Sequence, residues 1–325
     1  MRASIVSGPA DLDHPPLAAL LDRLRADGHP GLSERKRLDA AEPARGSFGV
    51  LCDDEDGHLV AYARCVPSRH PSPQWTMELL VHPHWRERVE PEVLAVLYVR
   101  LLTHGGGPLT WWTADPGQER LARASGWRIE RTLARLVAPL PPGPVAPLPV
   151  GVAISPFVDD DAGRDELVRL NNAAFAEHPE QGGWTLEDLT RRTRTDWYDP
   201  SHITMARRDA SACGFCWLKW HAATRLVEVY AIGVDPEQHT PGLGRALLTH
   251  ALHHFRVPDG GRALAMLYVD EANGPAVALY RRLGFTTAAR QVAYRVSIPD
   301  GRAGRAAGQP PHLPGRRRRT SGPGR

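Results

Sequence analysis

Cysteine and lysine are scarce in this chain, and long apolar runs are absent. Four cysteines in 325 residues are too few for the disulfide framework of a secreted protein. No apolar run approaches the ~18 residues of a membrane span, and the N-terminus lacks the apolar core of a signal peptide. Hydrophobic residues make up 42% and charged residues 24% of the chain, which excludes wholesale disorder. We therefore expect a cytoplasmic protein without a membrane partner.

The basic residues are almost all arginine. Only Lys36 and Lys219 are lysine among 40 basic residues. Each is present either by chance or because its position needs a compact ammonium group rather than a guanidinium group. The net charge of +3 comes from residues 301–325, which hold seven arginines and no acidic residue. The rest of the chain is mildly acidic, and we expect no nucleic-acid partner.

Proline divides the chain into two halves of similar size. Residues 138–150 contain six prolines, which predicts a semi-rigid extended linker. The predicted organisation is an N-terminal domain (1–137), a linker (138–149), a C-terminal domain (150–299) and a disordered arginine-rich tail (300–325). The predicted strands are 48–52, 59–66, 76–81, 109–113, 128–137, 150–157, 203–208, 212–220, 226–234, 263–269 and 286–296. The predicted helices are 16–26, 91–102, 118–125, 161–175, 185–193, 241–255 and 275–283.

The two halves repeat one order of elements. Leu80-Val-His-Pro83 corresponds to Gly233-Val-Asp-Pro236, and each precedes a short helix that ends in glycine and an aromatic residue, Gly126-Trp127 or Gly284-Phe285. This pattern predicts a tandem duplication of an α+β unit.

A glycine-containing turn joins a strand to an apolar helix in the second half, at His239-Thr-Pro-Gly-Leu-Gly244. Backbone N–H groups at such a helix start can bind a phosphate. Downstream, Asn273, Ala276, Tyr280, Gly284 and Phe285 follow the spacing Asn-x-x-Ala-x-x-x-Tyr-x-x-x-Gly-Phe. Together the two segments resemble the GNAT N-acyltransferases, so we expect two tandem GNAT domains, each a mixed, mostly antiparallel sheet flanked by helices.

A narrower resemblance covers most of the second half. Phe175-Ala-Glu-His-Pro-Glu-Gln-Gly-Gly-Trp-Thr185, Trp217-Leu-Lys-Trp-His221 and Glu228-Val-Tyr-Ala-Ile-Gly-Val234 are similar to the mycothiol synthase family of tandem GNAT enzymes. The resemblance implies acetylation of the cysteinyl amine of cysteinyl-glucosaminyl-inositol by direct attack on acetyl-CoA, with no metal. We also expect a monomer.

The resemblance assigns a role to each candidate residue. Glu228 would be the base, which accepts the amine proton through water, and Tyr280 would protonate the departing thiolate. Substrate contacts would come from Glu228, Glu34, Glu180, Lys219 and Tyr268. Acetyl-CoA contacts would come from Ile232, Gly233, Val234, His239, Thr240, Gly242, Leu243, Gly244, Arg245, Asn273 and Ala276.

The glycine turn departs from the family pattern. His239 replaces the usual Gln or Arg, and Pro241 lacks an N–H. The pair Thr240-Pro241 predicts that Thr240 is the N-cap and Pro241 the first residue of the helix. Because Pro241 has no N–H, one hydrogen-bond donor to a phosphate would be lost. The corresponding loop of the first half, residues 84–91, has no glycine and two acidic residues, which predicts a degenerate, non-catalytic repeat.

Two other function classes stay open at this point. One is a GNAT enzyme for another amine, such as an aminoglycoside or a peptide N-terminus, and the other is a CoA-binding module with decayed catalysis. The pair Cys213 and Cys216 lies in a predicted strand, where residues three apart point to opposite faces. We therefore expect neither a metal nor a redox role for it.

Overall fold

The computed structural model describes residues 2–7, 15–26, 46–67, 74–176, 182–209, 211–238 and 240–300. The strands are β1 (Arg2–Ser7), β2 (Phe48–Asp53), β3 (Leu59–Pro67), β4 (Trp75–Val81), β5 (Gly107–Thr113), β6 (Arg128–Pro139), β7 (Val152–Pro156), β8 (Ile203–Arg208), β9 (Ser211–His221), β10 (Leu226–Val234), β11 (Leu264–Asp270) and β12 (Thr286–Ile298). The helices are α1 (Pro15–Ala26), α2 (Arg86–Thr103), α3 (Pro116–Ala124), α4 (Asp161–Ala174), α5 (Leu186–Thr193), α6 (Leu243–His254) and α7 (Gly274–Arg282). In this described part, every helix is too short or too polar to cross a membrane.

The described residues form two compact units. The first unit contains the residues up to Thr113, Ala122–Arg128 and those from Tyr294 onward, and the second contains Ala114–Leu121 and Ile129–Ala293. The division falls inside α3 and β12. The domain boundaries that the proline-rich segment predicts stay a proposal.

The first unit has the strand order β1-β2-β3-β4-β5. Neighbours from β1 to β4 are antiparallel, whereas β4 and β5 are parallel and pair only at Trp75–Met77. Helix α1 places Leu17, Leu20 and Leu24 on one face, and all three are buried against the sheet. Their spacing of three and four residues is the reason why this segment packs as a helix.

Helix α2 begins earlier than its proline predicts. It starts at Arg86 and contains Pro91, so the prediction of a loop over residues 84–91 and a helix from residue 91 is wrong. The buried stripe of α2 begins at Val89 and continues through Val93 and Leu97. Because this apolar period starts before the proline, packing extends the helix through it in spite of the lost backbone hydrogen bond.

The second unit has the strand order β12-β6-β11-β10-β9-β8-β7. Strands β10 and β11 are parallel and pair only at Leu226–Glu228, which repeats the short β4–β5 pairing of the first unit. Helices α6 and α7 pack on one face of this sheet, and α4 and α5 pack on the other. Strand β6 precedes the proline-rich segment but pairs with β11, which the order of elements did not predict.

Cys213 and Cys216 pack on the same face of β9. Ala206 is opposite Gly214 and Arg207 is opposite Ala212, so Cys213 is an extra residue in the β8–β9 ladder. Both thiols belong to the core under α6, and burial raises the pKa of each. The prediction of opposite faces is wrong because this bulge breaks the alternation.

The proline-rich segment packs on α6 instead of standing away from the unit. The N–H of Ala146 donates to the Thr249 hydroxyl at 3.0 Å, and the Gly143 carbonyl lies 2.8 Å from Nε2 of His253. Ala146 and Thr249 are both buried. The segment therefore contributes to the core of the second unit.

Replacing Thr249 by valine should destabilise the protein by about 1–3 kcal/mol, because the buried Ala146 N–H would lose its acceptor. The free energy of unfolding in urea measures this effect. Thr190→Val in α5 is the matched control, since its hydroxyl makes only an exposed bond to the Leu186 carbonyl. Equal losses in the two variants would contradict a specific role for the Ala146 contact.

Candidate active site

Glu228 lies at the point where β10 and β11 part. It is opposite Met266, the last parallel pair, although β10 continues to Val234 and β11 to Asp270. Beyond Glu228 the described part of β11 offers no hydrogen-bond partner to the facing edge of β10. Among the described residues, the backbone of β10 after Glu228 is therefore not paired with a strand on the side that faces β11 across the gap between these strands.

A bulge at Tyr230 shapes this gap. Val229 is opposite Leu218 and Ala231 is opposite Trp217, which leaves Tyr230 as an extra residue. Val229 packs in the core under α6, whereas Ala231 packs on the opposite face, under α4. The bulge thus reverses the alternation of β10 just after its pairing with β11 ends.

Lys219 and Glu228 are direct cross-strand neighbours on one face of the sheet. The Lys219 side chain is only 5% exposed, and its ammonium lies 4.5 Å from the centre of the Trp197 ring. Burial lowers the pKa of Lys219 to about 8, although the Glu228 charge acts in the opposite direction. The Lys219 ammonium therefore loses its proton at a lower pH than an exposed lysine does.

The low pKa of Lys219 predicts a pH dependence of stability. An unfolded lysine has a pKa of about 10.4, so between about pH 8 and pH 10 the unfolded chain binds more protons at this residue than the folded chain. The free energy of unfolding of the wild type should rise with pH in this range relative to Lys219→Met. Urea unfolding at both ends of the range measures the difference, and a constant difference would contradict the prediction.

Tyr268 and His221 complete the surroundings of the Glu228 carboxylate. Partial burial, together with the Glu228 charge, raises the pKa of Tyr268 on β11. Nε2 of His221 lies 2.6 Å from Oε2 of Glu228. The structure thus brings together the predicted residues Lys219, Glu228 and Tyr268, and adds a histidine.

Tyr280 lies on the other face of the sheet. Its side chain is 9% exposed and belongs to the core that contains Val229 and the residues of α6. Its ring packs against Phe285 with the ring centres 5.9 Å apart. Burial raises the pKa of Tyr280 to about 12, so the phenol holds its proton at neutral pH. Because Glu228 alternates with Val227 and Val229, which pack in that core, the Glu228 carboxylate and the Tyr280 phenol lie on opposite faces of the sheet.

Helix α6 begins two residues later than Pro241 predicts. Its N-cap is Gly242, whose φ of 87° is a left-handed conformation that favours glycine. Thr240 does not cap the helix. Its hydroxyl bonds to the Gln238 carbonyl and accepts from Arg208. The prediction of a Thr240-Pro241 helix start is therefore wrong.

Because α6 starts after Pro241, every residue of its first turn has a backbone N–H group. The N–H of Leu243 donates to the Thr240 carbonyl, and the N–H groups of Gly244 and Arg245 have no partner within the helix. Pro241 precedes this turn, so its missing N–H removes no donor from the helix. Open space surrounds the position of a Cβ on Gly242, which suits the approach of an anion.

The other predicted acetyl-CoA residues lie on β10 and at the start of α7. Ile232 and Val234 on β10 are half-buried against the core under α6. Gly233 is glycine because a Cβ would come within 2.8 Å of the Phe215 ring. Asn273 caps α7, and its Oδ1 accepts from the Ala276 N–H at 3.1 Å, so these two residues fix the helix that carries Tyr280. Glu34, Glu180 and His239 lie outside the described residues.

Three residues near the site were missed from the sequence. They are His221 beside Glu228, Trp197 under Lys219, and Arg208 at the glycine turn. The period of two in β9 is a signal for the first, because Trp217, Lys219 and His221 share one face of the strand. The other two reach the site from distant segments, which no local pattern predicts.

The comparisons with known proteins agree with this geometry. The chain is 40% identical over 307 residues to the mycothiol acetyltransferase of Thermobispora bispora, a match that covers 91% of this chain and 99% of that protein. The chain belongs to the mycothiol acetyltransferase family. Residues 166–285 also match the Acetyltransferase (GNAT) family. The protein is accordingly an N-acetyltransferase that uses acetyl-CoA and a small-molecule amine.

Solved structures show that this mycothiol acetyltransferase family member has the α+β GNAT fold. A GCN5-related N-acetyltransferase from Sphaerobacter thermophilus has a TM-score of 0.67 at 23% identity, and covers 91% of this chain and 96% of its own. A tandem GNAT protein from the clavulanic acid biosynthesis pathway has a TM-score of 0.65 at 19% identity, with 91% and 99% covered. At these identities the likeness concerns the fold alone.

Proposed function

We propose that this protein acetylates the cysteinyl amine of cysteinyl-glucosaminyl-inositol with acetyl-CoA, which is the last step of mycothiol biosynthesis. One observation carries the proposal: Glu228 is the last paired residue before β10 and β11 separate. A carboxylate at that point is next to the free strand edge, where the thioester of acetyl-CoA would lie. The family relationship over nearly the whole chain supports the choice of acceptor.

Glu228 accepts the proton that the amine must lose. A free α-amine has a pKa of ~7.7–8.0, and its charged form has no lone pair for attack on a thioester. Glu228 takes this proton through water. The amine nitrogen then bonds to the acetyl carbon, and backbone N–H groups of Ile232–Val234 stabilise the charge that develops on the carbonyl oxygen.

Tyr280 completes the reaction from the opposite face. As the carbon–sulfur bond breaks, its phenol donates a proton to the departing thiolate, and no covalent acyl-enzyme forms. The tyrosine holds this proton until it is needed because burial raises its pKa to about 12. Glu228 takes one proton from the ammonium before the attack, and the nitrogen loses a second proton as the amide forms, which returns through water to the Tyr280 phenolate. Glu228 then releases its proton to water, so each turnover releases one proton and both groups are reset.

Lys219 and Tyr268 are the described residues that we assign to acceptor binding. Both face Glu228, and an ammonium and a phenol suit the hydroxyl groups of a sugar–inositol substrate. We assign Glu34 and Glu180 to the same pocket from the sequence resemblance. The pyrophosphate of acetyl-CoA would bind the N–H groups of Gly244 and Arg245 at the start of α6.

Calorimetric titration with acetyl-CoA, followed by measurement of CoA-thiol release with added amines, tests the proposal. We expect saturable binding, and release with cysteinyl-glucosaminyl-inositol but not with glucosaminyl-inositol, which lacks the cysteinyl amine. Faster release with an aminoglycoside or a peptide would assign another acceptor. Binding without release from any amine would support a CoA-binding module whose catalysis has decayed.

Three finer assignments belong to the same proposal. The N-terminal domain is a non-catalytic repeat, the protein is a monomer, and it acts in the cytoplasm on small molecules without nucleic-acid or membrane partners. Two features of the N-terminal domain support its assignment as a non-catalytic repeat. No glycine lies around the start of α2, and Glu87 in the first turn of that helix would repel the phosphates of acetyl-CoA.

A further inference from the structure

His221 makes a close polar contact with Glu228. Its Nε2 lies 2.6 Å from Oε2 of the carboxylate, and the two side chains are 31% and 14% exposed. The cross-strand register places Lys219 opposite Glu228, and His221 opposite Leu226. His221 is therefore the diagonal neighbour of Glu228 on the same sheet face, at the more exposed end of the site.

The contact has a defined direction. An ionised carboxylate only accepts hydrogen bonds, so the nitrogen that faces it must carry a proton. His221 thus donates from Nε2 to Glu228. A bond of this kind to a charged acceptor is stronger than a neutral one and holds both partners in one orientation.

Glu228 needs such a partner because its side chain has several rotatable bonds. A base must stay within about 3 Å of the proton or water that it acts on. In the described part of the site, Lys219 from β9 and Tyr268 from β11 face the same carboxylate, and either could draw it away from the gap. A hydrogen bond from His221 on the solvent side would hold the Glu228 carboxylate in one orientation.

We propose that His221 is a positioning residue, which holds the Glu228 carboxylate toward the amine by an Nε2–H···Oε2 hydrogen bond. This inference rests on the proposed function, because it assumes that Glu228 is the base. In the reaction, the amine proton moves to Glu228, the carbon–nitrogen bond forms and the carbon–sulfur bond breaks. His221 keeps its own proton throughout and acts only through Glu228.

A double-mutant cycle on the full-length protein tests the proposal. His221→Ala should lower kcat about 10- to 100-fold, which is less than the loss of the base itself, and should leave the KM for acetyl-CoA within about twofold. In the Glu228→Gln background the same change should have almost no further effect, because the base that His221 positions is already lost. A merely structural loss would lower kcat by the same factor in both backgrounds.

Conservative replacement gives a second readout. The amide of His221→Gln can donate from nearly the same place, so this variant should recover a large part of the activity that His221→Ala loses. His254→Ala, in the last turn of α6, is the control for loss of a histidine, and we expect it to behave as wild type.

The outcomes separate this inference from the proposed function. Wild-type kcat in His221→Ala would overturn the inference, and so would equal, independent losses in both backgrounds. No CoA release by the wild type with cysteinyl-glucosaminyl-inositol would instead overturn the proposed acceptor. In that case the cycle is run with the amine that does support release, because the role of His221 depends on the base and not on the acceptor's identity.

Discussion

Glu228→Gln is expected to lower kcat about 10²- to 10⁴-fold, the range found when a general base is lost. Glutamine has nearly the shape of glutamate but cannot accept the amine proton at neutral pH. Its carboxamide can still accept the hydrogen bond from His221, so the fold around β9 and β10 should survive. CoA-thiol release under saturating acetyl-CoA measures the loss in kcat.

Two further results distinguish a lost base from a damaged site. Binding of acetyl-CoA, measured by calorimetry, should be unchanged in Glu228→Gln. Glu228 is still paired with β11, and the part of β10 that would bind acetyl-CoA begins after it. Glu187→Gln, at the exposed start of α5, removes a carboxylate of the same kind and should keep wild-type kcat. A Glu228→Gln enzyme with kcat near wild type would show that another group removes the proton.

Tyr280→Phe is expected to lower kcat about 10²-fold, at the lower end of the effects of general acids and bases. Phenylalanine keeps the ring that packs against Phe285 and removes only the hydroxyl that we propose as the proton donor to the thiolate. The melting temperature should therefore change by no more than a few degrees, while CoA release slows strongly. Tyr98→Phe in α2 is the matched control, because it removes a phenol hydroxyl from a residue that is distant in sequence from the site.

The leaving group gives the sharper test of Tyr280. If the phenol protonates the thiolate, a thioester whose thiol is more acidic than CoA needs less help, and Tyr280→Phe should recover with it. A variant that is equally slow with both thioesters would contradict the acid role, and would indicate that the hydroxyl only positions the acyl donor.

The sequence predicted most strands of the second unit closely, because their period and boundaries are local. The bounds of β8 and β10 match the structure, and the Thr185 capping box of α5 follows from one local spacing. Strand β1 was missed because its six residues, Arg-Ala-Ser-Ile-Val-Ser, alternate too weakly to stand out. Its formation depends on the antiparallel partner β2.

The catalytic arrangement was predictable only in part. The strand that carries Glu228 can be predicted from its residue pattern, the motif around Tyr280 follows from the resemblance to the GNAT family, and Lys219 falls on the facing strand. The bulge at Tyr230 could not be predicted, because it depends on how β9 and β10 pair over their whole length. The start of α6 was missed for a similar reason, since the left-handed turn at Gly242 overrides the local preference of Thr240-Pro241.

We propose that the edge of β10 beyond Glu228 and the first turn of α6 bind acetyl-CoA. Hydrogen–deuterium exchange of the full-length protein, with and without acetyl-CoA, tests it most directly because it reports on the backbone N–H groups themselves. We predict slower exchange in Tyr230–Val234 and in Leu243–Ala246 when acetyl-CoA is bound. Slower exchange around β4 and the start of α2, with no change in β10, would contradict the account and would place the acyl donor in the first unit.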